Sequence, residues 1–166
     1  MTVSNSDEIR PVALVRVKPG AESRATKELS DLFERFRIKA EIRDSGVEGN
    51  LLVFSSAPKG YVAAVLGKSK LAYAETIILI DATSQPDLNS MIDTASKVLM
   101  VYASKKKIKS FRVKARVRGS SMEERKIEIE MGRVLKESVG LSVDLENPDV
   151  TVYVNVVGEF VAVTIA

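Results

Sequence analysis

The first half of the chain alternates between short apolar runs and one-sided apolar patterns, which predicts alternating strands and helices. Apolar residues at helical spacing predict a helix over residues 21–36 and a shorter one over 58–66. Continuous or period-two apolar runs predict strands at residues 12–17, 38–43, 51–54 and 76–80. The predicted order is therefore strand, helix, strand, strand, helix, strand.

This βαββαβ order is the ferredoxin-like pattern, and it predicts a subdomain over residues 10–83. Residues 1–9 are mostly polar and are expected to form a flexible N-terminal tail. A polar turn with a proline at 82–86 predicts the boundary between two domains. The second domain is then expected to span residues 84–166, and the fold class of the whole is α/β (α+β).

The second half predicts two helices and three longer strands. The first helix is expected to begin with Ser84 as N-cap and to reach about residue 103. The second is expected to begin with a capping box at Ser121 and Glu124, and Gly132 in its middle suggests close contact between helix and sheet. Strands are predicted at 110–118, 150–156 and 160–165, the last two forming a hairpin.

Positive charge is concentrated in residues 105–118, which contain eight of the 25 Lys and Arg residues. No acid lies between Asp93 and Glu123. Because side chains alternate faces along a strand, the second part of this segment predicts one apolar face and one row of cations. The row comprises Arg112, Lys114, Arg116 and Arg118, and the preceding lysines are Lys105, Lys106, Lys107 and Lys109.

Cations repeating along one strand face favour a polyanionic backbone over a small metabolite as the partner. A merely solvated face is the alternative, but such faces usually mix both signs of charge. Arg125 and Lys126 lie in the first turn of the following helix. A phosphate is expected to bind the free N–H groups there, between Arg118 and Arg125.

The absence of cysteine and histidine excludes disulfides, thiolate nucleophiles, sulfur-ligated metals and the usual general base at neutral pH. Asp144, Glu146 and Asp149 lie around a turn and are interpreted as turn chemistry rather than metal ligands. We therefore expect no catalytic residue, no metal and no cofactor. No apolar run is long enough to span a bilayer, so a cytoplasmic protein without membrane association is expected.

Residues from about 85 to 166 resemble a THUMP domain. The matching segments are the strand SFRVKARVRG, the helix EIEMGRVLKE and the block VDLENPDVTVYVNVVGEFVAV, and the last is the most specific. A ferredoxin-like subdomain commonly precedes this domain in the family. The resemblance implies binding of tRNA and related structured RNAs. Family members are fused to 4-thiouridine synthetase or RNA methyltransferase domains, or stand alone as adaptors that present tRNA to an RNA cytidine acetyltransferase.

The resemblance therefore predicts a non-catalytic tRNA-binding protein that presents structured RNA to a separate tRNA-modifying enzyme. The sequence has no pyrophosphatase loop of the SGGxDS type and no G-x-G-x-x-G motif, so chemistry is expected from another polypeptide. Aromatic residues directed outward from adjacent strands are absent, which favours recognition by shape and backbone charge. Two alternatives remain open: an interaction or regulatory module whose basic strand binds an acidic protein, and an enzyme that uses carboxylates.

Overall fold

A computed structural model describes residues 8–166, and most of the predicted tail at residues 1–9 lies outside them. The chain forms two compact units that divide between Ile80 and Asp81. Both units are mixed α/β structures, as the alternation of apolar patterns predicts, and the expected fold class is confirmed.

The first unit contains four strands and two helices in the order βαββαβ. They are β1 (Arg10–Val17), α1 (Glu22–Arg35), β2 (Ala40–Asp44), β3 (Asn50–Ser55), α2 (Lys59–Lys68) and β4 (Ala74–Leu79). The sheet has the order β2-β3-β1-β4 with antiparallel neighbours throughout. This arrangement confirms the ferredoxin-like prediction.

The core of the first unit joins one face of this sheet to the apolar stripes of both helices. From α1 it takes Ala25, Leu29, Leu32 and Phe33, and these side chains pack against β1 and β3. The turn before β3 requires glycine at position 49, whose φ is 78° and whose Cβ would lie 3.0 Å from the Val17 carbonyl oxygen. The unit therefore has a continuous apolar interior.

The second unit contains five strands and two helices. They are β5 (Ala82–Ser84), α3 (Leu88–Lys105), β6 (Ser110–Arg118), α4 (Glu124–Val139), β7 (Ser142–Val143), β8 (Val150–Val157) and β9 (Phe160–Ile165). The sheet order is β5-β9-β8-β6-β7. Strand β6 pairs in parallel with β8 over its length and with β7 only at Ser110 and Phe111. The predicted hairpin of the last two strands is present, since β8 and β9 pair antiparallel.

Both helices of the second unit pack on one face of its sheet. The core includes Met91 and Leu99 of α3, Ile127 and Met131 of α4, and Phe111 of β6. The apolar positions of β6 face this core, as its alternating sequence predicts. The basic positions of β6 therefore lie on the opposite face of the sheet.

Three local predictions for the second unit are wrong. Residues 82–84 form β5 rather than a turn, so Ser84 is not a helix N-cap. Asp87 caps α3 instead, because its carboxylate accepts hydrogen bonds from Ser90 N at 2.8 Å and Ser90 Oγ at 2.7 Å. The proposed capping box does not form, since Glu123 is the N-cap of α4 and makes no side-chain capping bond.

Candidate nucleic-acid interface

The basic row of β6 is held on a rigid sheet. Lys114, Arg116 and Arg118 are exposed, and their strand is hydrogen-bonded to β8 from Phe111 to Arg118. Their Cα atoms repeat every ~6.6 Å because alternate strand residues share a face. Within residues 8–166, none of the three pairs with a carboxylate. The three side chains therefore present their charge to solvent in a fixed line.

Arg112 differs from the other members of the row, because it is half-buried and bonded within the domain. Its Nε donates a hydrogen bond to Thr151 Oγ1 at 3.1 Å, and its Nη1 donates a longer one to the Leu145 carbonyl at 3.4 Å. The guanidinium therefore connects β6 to β8 and to the turn before it. This internal use reduces its capacity to hold a phosphate.

The four lysines between α3 and β6 lie at the opposite end of the strand from Arg118. Lys105, Lys106, Lys107 and Lys109 are all exposed. Lys106 is the C-cap of α3, and its Nζ lies 5.4 Å from the centre of the Tyr102 ring. The strand between the two ends is about 26 Å long, at ~3.3 Å per residue. Positive charge therefore extends along β6 and into the segment that precedes it.

Asp149 anchors this lysine segment to the start of β8. Its Oδ2 accepts hydrogen bonds from the backbone N–H groups of Lys109 at 2.7 Å and Ser110 at 3.2 Å. In return, Ser110 Oγ accepts a hydrogen bond from the Asp149 N–H at 3.0 Å. The aspartate of the Asn-Pro-Asp turn therefore positions the basic segment, a role that the sequence pattern alone did not assign.

Among the neighbouring acids, Asp144 also stabilises the turn. Asp144 Oδ1 accepts hydrogen bonds from Asn147 N at 2.9 Å and Glu146 N at 3.0 Å. These backbone donors, with Asn147 first, lower the pKa of Asp144 below its ordinary value. Among residues 8–166, no group of three or more Asp and Glu side chains is arranged to hold a metal ion. Within the same range, every helix is too short or too polar to cross a membrane.

The two cations at the start of α4 face different surroundings. Arg125 lines a groove between β6 and α4 together with Arg112 and Lys114, whereas Lys126 lines a separate hollow with Leu88 of α3. The hollow at the α4 N-terminus is lined by Arg125 and by the acids Glu123, Glu124 and Glu128. Arg118 does not line this hollow. An anion bound there would face three carboxylates, which opposes its binding.

Two of those glutamates cover the outer edge of β6, a role that sequence reasoning missed. Glu128 Oε2 accepts a hydrogen bond from Ala115 N, and Glu124 Oε2 accepts one from Val117 N, each at 3.1 Å. No neighbouring strand accepts hydrogen bonds from these two N–H groups, because β7 pairs only with the first two residues of β6. The spacing of four between the glutamates was the available signal, but the sequence does not reveal which strand edge lies beside them. Arg133 also lines the groove.

The described geometry is that of a known domain. The family model described as THUMP domain matches residues 86–166. The uncharacterized protein MJ1257 of Methanocaldococcus jannaschii is 32% identical over 113 residues, which cover 68% of this chain and 31% of that protein. The chain therefore spans about a third of the curated relative that it matches.

Solved structures share the fold at low sequence identity. PH1313 from Pyrococcus horikoshii aligns with a TM-score of 0.78 at 19% identity, covering 95% of this chain and 54% of that one. A 4-thiouridine synthetase solved with RNA and bound ATP aligns with a TM-score of 0.67 at 19% identity, covering 94% and 41%. These similarities show the fold, and they extend over about half of each neighbour. The match of the family model assigns residues 86–166 of this chain to the THUMP domain family.

Proposed function

We propose that this chain is a non-catalytic RNA-binding protein that presents tRNA or another structured RNA to a separate tRNA-modifying enzyme. One observation carries the RNA-binding part. Lys114, Arg116 and Arg118 form an exposed line of cations on a hydrogen-bonded strand, without a carboxylate partner in the described part of the chain. Because the strand already fixes the backbone positions of these charges, binding to a phosphate backbone has to order only their side chains.

The family and its neighbours support this reading. THUMP domains are RNA-binding modules, and a 4-thiouridine synthetase of similar fold was solved with RNA. We assign the chemistry to a part outside residues 1–166, and propose a separate enzyme for it, because these residues contain no cysteine, no histidine and no G-x-G-x-x-G motif. Cytidine acetylation is the reaction to test first, because the family that residues 86–166 resemble includes adaptors that present tRNA to an RNA cytidine acetyltransferase.

The RNA-binding proposal is tested by electrophoretic shift of unmodified tRNA across a salt series. The test variant changes Lys114, Arg116 and Arg118 to Ala and keeps Arg112, because Arg112 bonds to Thr151 inside the domain. A matched control changes three exposed lysines on other surfaces to Ala and removes the same charge. These are Lys27, Lys97 and Lys136.

We expect the native chain and the control to bind with a steep salt dependence. The test variant should bind more weakly, and its slope of log affinity against log salt should fall by about 2 to 3, at ~0.7–0.9 for each lost phosphate contact. Equal binding by the test variant and the control would place the RNA site elsewhere. A native chain that ignores tRNA would favour the alternative of an acidic protein partner.

The proposal that this chain presents RNA to a separate enzyme is tested by measuring acetyl transfer to tRNA. Acetylation of tRNA by a purified RNA cytidine acetyltransferase is measured with and without the native chain, the test variant and the control. The native chain and the control should increase the rate, and the test variant should not. Modification of tRNA by the native chain alone would refute the non-catalytic assignment.

A further inference from the structure

The glutamates of α4 and the outer N–H groups of β6 form two series with nearly the same spacing. Helix residues four apart are separated by ~6.0 Å along the axis, and alternate strand residues by ~6.6 Å. Glu124 accepts from Val117 and Glu128 accepts from Ala115. The next outward N–H along the strand is that of Val113, because alternate residues of β6 direct their backbone groups to the same edge.

The helix position that faces this third N–H has no side chain. Four residues after Glu128 the helix has Gly132, and Gly132 lines the same groove as Val113. A Cβ built at Gly132 meets nothing within 4 Å, so the space beside it is open. No residue in the described part of the chain accepts a hydrogen bond from Val113 N. The series of carboxylates therefore stops one position short, which leaves a notch beside the Val113 N–H.

The surroundings of this notch are positively charged. The groove of about 510 Å³ is lined by the cations Arg112, Lys114, Arg125 and Arg133. Its one acid is Glu128, whose carboxylate is already bonded to Ala115 N. Arg133 also pairs with Glu130 outside the groove, at 3.0 Å and at the exposed surface where such pairs are weak. A carboxylate entering the notch would meet an unpaired donor and an excess of positive charge.

The rim of the groove is aliphatic. Ile129 of α4 is 55% exposed, Val143 of β7 is 40% exposed, and Leu145 is 71% exposed. All three line the groove, and no aromatic side chain does. These aliphatic side chains offer a nucleic-acid base no aromatic ring on which to stack. They suit the apolar side chains of a peptide instead.

We propose that this groove binds an extended acidic and aliphatic segment of a protein partner. One carboxylate of the segment accepts a hydrogen bond from Val113 N and takes the place of the missing third glutamate. Its neighbouring aliphatic side chains cover Ile129, Val143 and Leu145. The partner's identity as the modifying enzyme rests on the proposed function, whereas the chemistry of the groove does not depend on it.

The probe is a synthetic five-residue peptide that alternates Asp and Leu, and its control is the same peptide with Asn in place of Asp. Binding is followed by amide chemical shifts in nitrogen-15 spectra of the full chain. The Asp peptide should shift the Val113 amide resonance in a saturable manner. The Asn peptide should bind at least about tenfold more weakly, because hydrogen bonds to charged groups contribute more than neutral ones.

The decisive variant is Gly132→Gln, which places a neutral amide oxygen beside Val113 N and fills the notch. Its Cβ has room, and Gln favours a helix more than Gly does, so the variant should fold. The substitution should lower the affinity for the Asp peptide by about tenfold, because the charge-assisted hydrogen bond is lost. The affinity for tRNA should stay unchanged. Gly132→Ala leaves the notch open and should bind the peptide as the native chain does.

Three outcomes would overturn the proposal. The Asp peptide could leave the Val113 resonance unmoved, or it could bind Gly132→Gln as well as the native chain. Alternatively, Gly132→Gln could lose tRNA binding together with peptide binding, which would make RNA the occupant of the groove. Failure of the proposed RNA function is distinguishable from these results, since it would appear as tRNA binding that is absent in the native chain.

Discussion

Replacing Gly132 with Ala should stabilise the protein. Gly132 lies in the interior of α4, and its φ is not in the left-handed region. A glycine there costs about 1 kcal/mol relative to Ala, because the unfolded chain has more freedom to lose. The added methyl group meets no atom within 4 Å, so it introduces no clash. The net change should therefore be about 1 kcal/mol in favour of the folded state.

Gly132→Ala would instead destabilise the protein if Gly132 allowed the helix to approach the sheet closely, as its position in the sequence suggested. Overpacking of that kind costs about 1–3 kcal/mol. The sign of the change in the free energy of unfolding therefore distinguishes open space beside Gly132 from a close contact between helix and sheet. Gly140 provides the matched control, because it ends α4 at φ 78°, where Ala is strained by about 1–2 kcal/mol.

Thermal unfolding followed by circular dichroism measures both substitutions. At this chain length, 1 kcal/mol corresponds to a shift in Tm of about 2–4 °C. Gly132→Ala should raise Tm by that amount, and Gly140→Ala should lower it by at least as much. A fall in Tm for Gly132→Ala would refute the open space beside the helix, and with it the notch described above.

Three further substitutions test contacts of the second unit. Glu128→Ala should lower the free energy of unfolding in urea by about 1–3 kcal/mol, because it leaves the half-buried Ala115 N–H without its charged acceptor. Asp149→Ala should speed hydrogen exchange at Ser110, and Asp149→Asn should have a smaller effect because one acceptor remains. The pKa of Asp144 is lower in the folded chain than its ordinary 3.8, so its stabilisation is present above that value and is lost as the pH falls through the folded pKa. Asp144→Asn should therefore show a smaller loss of stability between about pH 6 and about pH 3.

Each of these three predictions would be contradicted by a specific result. An unchanged urea midpoint for Glu128→Ala would mean that water covers the edge of β6 equally well. Unaltered exchange at Ser110 would show that Asp149 does not hold the basic segment. Equal acid sensitivity of Asp144→Asn and the native chain would assign the pH dependence to other carboxylates.

The amino-acid sequence determined most of the elements and the two faces of the basic strand, whereas β5 was expected to be a turn. Apolar spacing of two or of about 3.6 residues dictates which side of a strand or helix is buried, and this requirement is local. The alternation over 110–118 by itself therefore assigns Phe111 to the core and Lys114 to solvent, where both residues lie. The resemblance to a THUMP domain likewise came from the sequence alone, through the segments SFRVKARVRG, EIEMGRVLKE and VDLENPDVTVYVNVVGEFVAV, and the family model confirms it.

Only the tertiary structure decided which backbone and side-chain groups meet. Ser84 looked like a helix cap because it precedes an apolar stripe, yet it pairs with Val161 in a strand whose partner lies far along the chain. In the sequence pattern Arg112 is equivalent to the other cations of the basic row, but in the fold β8 places Thr151 within hydrogen-bond distance of it. The open N–H of Val113 depends on where β7 stops pairing and on how α4 lies beside β6. Such contacts join groups distant in sequence, so periodicity, which reports only neighbouring positions, does not encode them.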